Sequence, residues 1–190
     1  MSAITETPAD AVVPGDTLVE SSFSAVINAP IEAIDIPAWC FSLPEAEYQW
    51  CSPAHYSAAV TTAPDGRRIS INVEVIGGSL MVQHYLEEVS EPAHLRLISE
   101  SDVFTPTGRT KLAVTWDLRV ARLDASSCEF TNTVRSAATP ELIELLTRQG
   151  IPVDVFASAR KPNAVAHNRQ ETPMFAKSIE RHASAGGETR

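Results

Sequence analysis

Between positions 56 and 137 apolar and polar residues alternate in six runs, each ending at a turn signal. The alternation is cleanest where Leu112, Val114, Trp116, Leu118 and Val120 oppose Lys111, Thr115, Asp117 and Arg119, which gives that strand one dry face. The same rule turns Ile69, Ile71, Val73 and Val75 inward against Ser70, Asn72 and Glu74, and Leu80, Val82, His84 and Leu86 inward against Gln83 and Glu87. It also turns Leu95, Leu97, Ser99, Ser101 and Val103 inward, and Phe130, Asn132 and Val134 inward against Glu129, Thr131 and Arg135. The predicted strands run over 56–62, 68–76, 79–89, 94–104, 110–123 and 128–137. Pro64-Asp65-Gly66, Gly77-Gly78, Glu91-Pro92-Ala93, Thr105-Pro106-Thr107-Gly108 and the segment 124–127 separate them. Neighbours joined by such short turns pair antiparallel.

The flanks add one strand before this block and helices on either side. Residues 19–28 read as a strand that stops at Asn28-Ala29-Pro30 and enters a Pro-initiated turn. Ser42-Leu43-Pro44-Glu45 has capping-box spacing and predicts a short helix through Trp50, with Trp39 and Trp50 as anchors against the sheet. Thr139, Pro140 and Gly150 bracket a helix with a Leu142, Leu145 and Leu146 stripe. Beyond it, helical stretches over 152–159 and 162–170 are expected to break at Lys161-Pro162 and Thr172-Pro173, before an apolar pair at Phe175 and Ile179. One domain over 18–183 is expected, with an acidic mobile tail over 1–17 and a frayed tail over 184–190.

Composition narrows the function classes. A chain of 190 residues with 44% hydrophobic content can bury a sizeable core. Its net charge of -9 repels phosphates, so neither nucleic acid nor an anionic membrane is expected as a partner. The start lacks a basic segment followed by an apolar run, and a cytoplasmic location is expected. The odd cysteine count, Cys40, Cys51 and Cys128, fits buried thiols. No two of the five histidines lie within five residues of each other, so no metal site and no cofactor is expected.

The Val26-Ile27-Asn28-Ala29-Pro30 junction, the six strands with their turn placement and the C-terminal helical segment resemble the START/Bet v 1-like (SRPBCC) superfamily over residues 18–183. Polyketide cyclase/dehydrase-like members are the nearest in type. The resemblance implies an α+β helix-grip fold, in which a seven-stranded curved antiparallel sheet wraps a C-terminal helical segment around a cavity. It implies a small hydrophobic or aromatic ligand, with a homodimer as the further partner considered. In a cyclase, dehydratase or lyase version free of cofactors, His84 would move a proton and Ser99 and Asn132 would hold a carbonyl oxygen. Trp116 would stack on a ring, and Val114 and Phe130 would line the ligand site. The competing class is an interaction module of the chaperone-activator type with a filled cavity, whereas a binding cavity should span about 300 Å³ or more.

Overall fold

The computed structural model describes residues 17–187, so the predicted 1–17 tail lies outside the described part except for Thr17, which opens the first strand, and so do residues 188–190 of the other tail. Seven strands, β1 (Thr17–Ile27), β2 (His55–Thr62), β3 (Arg68–Ile76), β4 (Ser79–Glu91), β5 (His94–Thr105), β6 (Gly108–Arg122) and β7 (Cys128–Ala138), form one antiparallel sheet. Their order is β1-β7-β6-β5-β4-β3-β2, so each strand from β2 to β7 pairs with its sequence neighbour. The first strand closes against the last: Phe23 pairs with Asn132 and Ala25 with Phe130. Helices α1 (Ile36–Ser42) and α2 (Glu45–Cys51) follow β1. Helices α3 (Pro140–Gln149) and α4 (Val153–Gly187) follow β7. This is the helix-grip arrangement, with α4 in the grip of the sheet.

Strand β6 shows its predicted face, and Leu112, Val114, Trp116, Leu118 and Val120 are all buried. Beside it Leu95, Leu97, Ser99, Ser101 and Val103 point the same way, as do Phe130 and Asn132. The two strands beyond are inverted relative to the alternation argument. In β3 the buried residues are Ser70, Asn72 and Glu74, and in β4 they are Ser79, Met81, Gln83 and Tyr85, with Leu86 buried on the opposite face. Ile71, Val73 and Val82 are half-buried on the outer face, where Ile71 pairs with His84 and Val73 with Val82. Alternation separates two faces without saying which one is inner; here the inner one is polar, and the apolar side chains cover each other outside.

Helix α4 is continuous where the two prolines predict breaks, and it runs through Ser184, which the sequence places in a frayed tail. A proline inside a helix removes one donor and costs about 3 kcal/mol or more. Pro162 and Pro173 both lie on the exposed side, as do Ser158 and Arg169, whose carbonyls lose their donors four residues on. Water can satisfy those carbonyls. The opposite side buries Asn168, Glu171, Phe175, Ala176 and Ile179 against the sheet. Tertiary packing thus carries the helix across both prolines.

The predicted capping box is not used. Asp35 caps α1 by accepting from the Ala38 amide at 2.8 Å, and the Ser42 hydroxyl instead donates back to the Ala38 carbonyl at 2.7 Å. Trp39 is a buried anchor, donating Nε1 to Ser178 Oγ on α4 at 2.8 Å. Trp50 is not; it is 51% exposed with the Arg181 guanidinium 4.6 Å from its ring centre. Near α1, Arg68 donates to Glu87 at 2.6 Å and lies over the Phe41 ring.

The β3–β4 turn places Gly77 and Gly78 at φ of +57° and +78°, a left-handed pair that side chains resist. A Cβ on Gly77 would meet Asn163 Nδ2 of α4 at 2.8 Å, whereas one on Gly78 meets open space. Thermal melts should therefore rank Gly77→Ala below Gly78→Ala, the latter losing roughly 1 to 2 kcal/mol from conformation alone. Equal losses would mean that α4 does not press on this turn.

The Arg68 hydrogen bonds lower the Glu87 carboxyl from 4.5 to about 2. A carboxyl depressed in the folded state stabilises it above the unfolded value, and that contribution disappears as pH falls from 4.5 toward 2. The urea midpoint of Arg68→Met should fall less steeply over that window than the parent's. Parallel slopes would remove this pair from the acid sensitivity of the fold.

Candidate functional site

The polar inner face of β3 and β4 meets α2 and α4 at a buried cluster of ionisable groups. Strand β2 contributes His55 at its first residue, β3 contributes Glu74, and α4 contributes His167 and Glu171, one helical turn apart on one face. His55 Nε2 lies 3.2 Å and His167 Nε2 3.1 Å from Glu171 Oε2. His167 Nε2 is also 3.4 Å from Glu74 Oε2.

Each of the four is held from behind. His55 Nδ1 contacts the Tyr48 carbonyl at 2.7 Å, which requires the proton on Nδ1, and the ring stacks on Tyr48 at 3.9 Å between centres. The Tyr48 hydroxyl donates to Glu74 Oε1 at 2.6 Å. Asn132 Nδ2 donates to Glu171 Oε1 at 3.1 Å while its Oδ1 accepts from Trp116 Nε1 at 2.9 Å. His167 Nδ1 lies 3.4 Å from Ser52 Oγ. Three strands, α2 and the α2–β2 loop thus converge on one helical turn of α4.

Burial disfavours charge on every member, so the partners decide. For His167, burial pulls the pKa down, but Glu171 and Glu74 beside it win and raise it to about 11. For Glu171, burial pushes up while His167 and His55 hold the carboxyl down at about 2. The Tyr48 hydroxyl is pushed well above its usual range, chiefly by burial and then by the Glu74 charge, so it remains a donor.

Next to the cluster a cavity of about 70 Å³ lies between the sheet and α4. Val19, Met81, Leu112, Val114 and Phe175 give it apolar walls, and Tyr85, Trp116 and Phe175 form an aromatic side with ring centres 5.3 and 5.8 Å apart. Glu74, His167 and Glu171 line it too. At the other side Ile76 and Arg160 border both this cavity and an outer pocket of about 230 Å³ beneath α3. Arg160 reaches Ser79 Oγ at 3.1 Å and Met81 Sδ at 3.7 Å, lies 5.5 Å from the Phe156 ring centre, and burial lowers its pKa. Gln83 Oε1, also in this wall, is buried without a hydrogen-bond partner among the described residues.

The residues singled out from the sequence fall in three places. Trp116 and Val114 line the cavity. Ser99, Asn132 and Phe130 are buried on the inner face, but the first two are already engaged: Ser99 Oγ accepts from the His84 amide at 2.9 Å and from Ser101 at 3.1 Å. His84 is exposed on the outer face, because β4 presents the opposite parity to the one assigned from its apolar residues. His55, Glu74, His167, Glu171 and Arg160 were missed. His55 and Glu171 lie 116 positions apart, so spacing along the chain carries no trace of their contact. The row Ser70, Asn72, Glu74 was the available signal, since uncharged polar residues on a strand otherwise rich in isoleucine and valine mark a face with its own polar partners.

No family model matches this chain, and no curated protein matches it. Among solved structures, the Zhui aromatase/cyclase from Streptomyces sp. R1128 aligns with a TM-score of 0.57 and 12% identity, covering 90% of this chain and 96% of the other. A START superfamily protein from Mycobacterium smegmatis aligns with a TM-score of 0.50 and 16% identity over 87% and 97% of the two chains. The protein TTHA0849 from Thermus thermophilus gives 0.50 and 16% over 88% and 98%. The chain therefore has the START-type helix-grip fold. No described helix is long and apolar enough to cross a membrane.

Asn132→Leu would strand the Trp116 donor and one Glu171 oxygen, so urea denaturation should show a loss of roughly 3 kcal/mol. His84→Ala, on the outer face, should stay within about 0.5 kcal/mol of the parent. A reversed ranking would contradict this placement of the two side chains.

Proposed function

We propose that this helix-grip protein binds a small, mostly apolar or aromatic molecule bearing an acidic group, with the body against Trp116, Tyr85 and Phe175 and the acid on Arg160. The observation that carries this reading is Arg160 itself. Its guanidinium is partly buried in the wall shared by the two chambers and meets a hydroxyl, a thioether and the Phe156 ring, with no carboxylate partner among the described residues. Desolvating such a charge is costly without an anion to pair with. Gln83 Oε1 adds an acceptor for a ligand hydroxyl or amide. The inner cavity of about 70 Å³ falls short of the roughly 300 Å³ of a typical ligand site, and the outer pocket of about 230 Å³ shares Ile76 and Arg160 with it. Arg160 and Gln83, rather than the volume, favour a ligand site over a filled interaction module.

The finer reading is chemistry of the cyclase, dehydratase or lyase kind, as the name of the Zhui aromatase/cyclase suggests for that protein. In this chain its groups would be Glu74, His167 and Glu171 at the cavity wall, in place of His84. Trp116 keeps its stacking role, while Asn132 positions Glu171 instead of holding substrate. Positioning and exclusion of water would supply most of the acceleration.

Fluorescence titration with 2-naphthoate and the neutral 2-naphthylmethanol tests the binding. The parent should prefer the carboxylate, and Arg160→Met should lose about ten- to a hundredfold in affinity for it while binding the alcohol as before, the range of one charged hydrogen-bonding contact. Equal affinity of the parent for both probes, or an unchanged Arg160→Met, would remove Arg160 as the anchor.

A further inference from the structure

The facing nitrogen and oxygen atoms of the ionisable cluster also have the spacing of ligands around one cation. With Nδ1 committed to the Tyr48 carbonyl, His55 aims Nε2 at Glu171 Oε2, 3.2 Å away. The separations of 3.2 Å from His55 Nε2 and 3.1 Å from His167 Nε2 to Glu171 Oε2 fall close to the edge of a tetrahedron of donors about a zinc ion, roughly 3.3 Å for bonds of 2.0 to 2.1 Å, and Glu74 Oε2 stands 3.4 Å from His167 Nε2. The donor atoms of His55, His167 and Glu171 all lie within 4.8 Å of one another.

The surroundings have the organisation of a metal site's outer layer. One imidazole is oriented through its other nitrogen by a backbone carbonyl, and each carboxylate has its second oxygen held, by Asn132 for Glu171 and by the Tyr48 hydroxyl for Glu74. A bound ion would displace protons from the imidazoles, and the two carboxylates would then balance a divalent charge that burial would otherwise penalise.

We infer that His55, His167 and Glu171 form a divalent-metal site, with zinc the best match, whose fourth position adjoins Glu74 and the cavity. Two imidazoles and one carboxylate are a borderline donor set that suits zinc and excludes calcium or magnesium as the preferred ion. Three protein ligands leave room for a water or a ligand oxygen, which the ion would polarise as a Lewis acid. Glu74 then either accepts a proton from that water or completes the coordination. The site stands at the floor of the proposed ligand cavity but does not depend on what Arg160 binds.

The test uses tag-free full-length protein, stripped with a chelator, and the metal alone. Calorimetric titration with Zn²⁺ should give one equivalent per chain, and saturating Zn²⁺ should raise the melting temperature. Glu171→Gln and His167→Gln, chosen to keep the side-chain size, should weaken binding at least a hundredfold. Tyr48→Phe, which only frees Glu74, should cost about tenfold or more. Arg160→Met should bind Zn²⁺ like the parent, so loss of the naphthoate preference and loss of the metal report on separate claims. Co²⁺ substitution covers the case in which the glutamine variants do not fold: an intense visible spectrum of tetrahedral type in the parent supports the site, and the weak spectrum of hydrated octahedral Co²⁺ overturns it. A folded parent that binds no Zn²⁺, or a folded Glu171→Gln with parental affinity, overturns it as well.

Discussion

Glu171 is a carboxylate carried on a helix into the interior, and the arrangement around it follows from the need to satisfy it there. Removing an ionised carboxylate from water costs several kcal/mol, and only well-placed partners offset that. Its partners come from separate parts of the chain: His55 from β2, Asn132 from β7 and His167 from its own helix. A one-residue rotation of α4 would move Glu171 away from all but the last. The cluster therefore fixes the seat of α4 on the sheet, which an apolar stripe alone would specify only loosely.

This seat divides the interior into two environments. Around β5, β6 and β7 the core is dry, built from Leu95, Leu97, Leu118, Phe130 and Phe175. Toward β3 and β4 it is lined by Asn72, Glu74, Gln83 and the aromatic wall, and there the cavity lies. The outer face of β3 and β4 takes the isoleucines and valines that the polar inner face excludes, where cross-strand neighbours shield one another.

The prolines of α4 show the same priority of packing over local preference. Each removes one helical hydrogen bond, yet both sit on the water side, where the freed carbonyls can be solvated. The buried side keeps Asn168, Glu171, Thr172, Phe175 and Ile179 in one continuous row. A helix broken at Pro173 would part Glu171 from Phe175 and open the cavity roof.

Strand order and turns were legible because they are local: Gly77-Gly78, Thr139-Pro140 and Gly150 act through backbone conformation that their own residues impose. Burial of Trp116, Leu118 and Phe130 was legible because apolar side chains on those strands have one place to go. Three things were decided only by the tertiary structure. The inner face of β3 and β4 was chosen by partners such as Tyr48 and His167, which lie outside those strands, so alternation assigned His84 to the wrong side. Continuity of α4 was decided by the sheet beneath it. The cluster of His55, Glu74, His167 and Glu171 exists only because the sheet curls its β2 edge toward the C-terminal helix, and contacts between residues so far apart leave no periodicity in the chain.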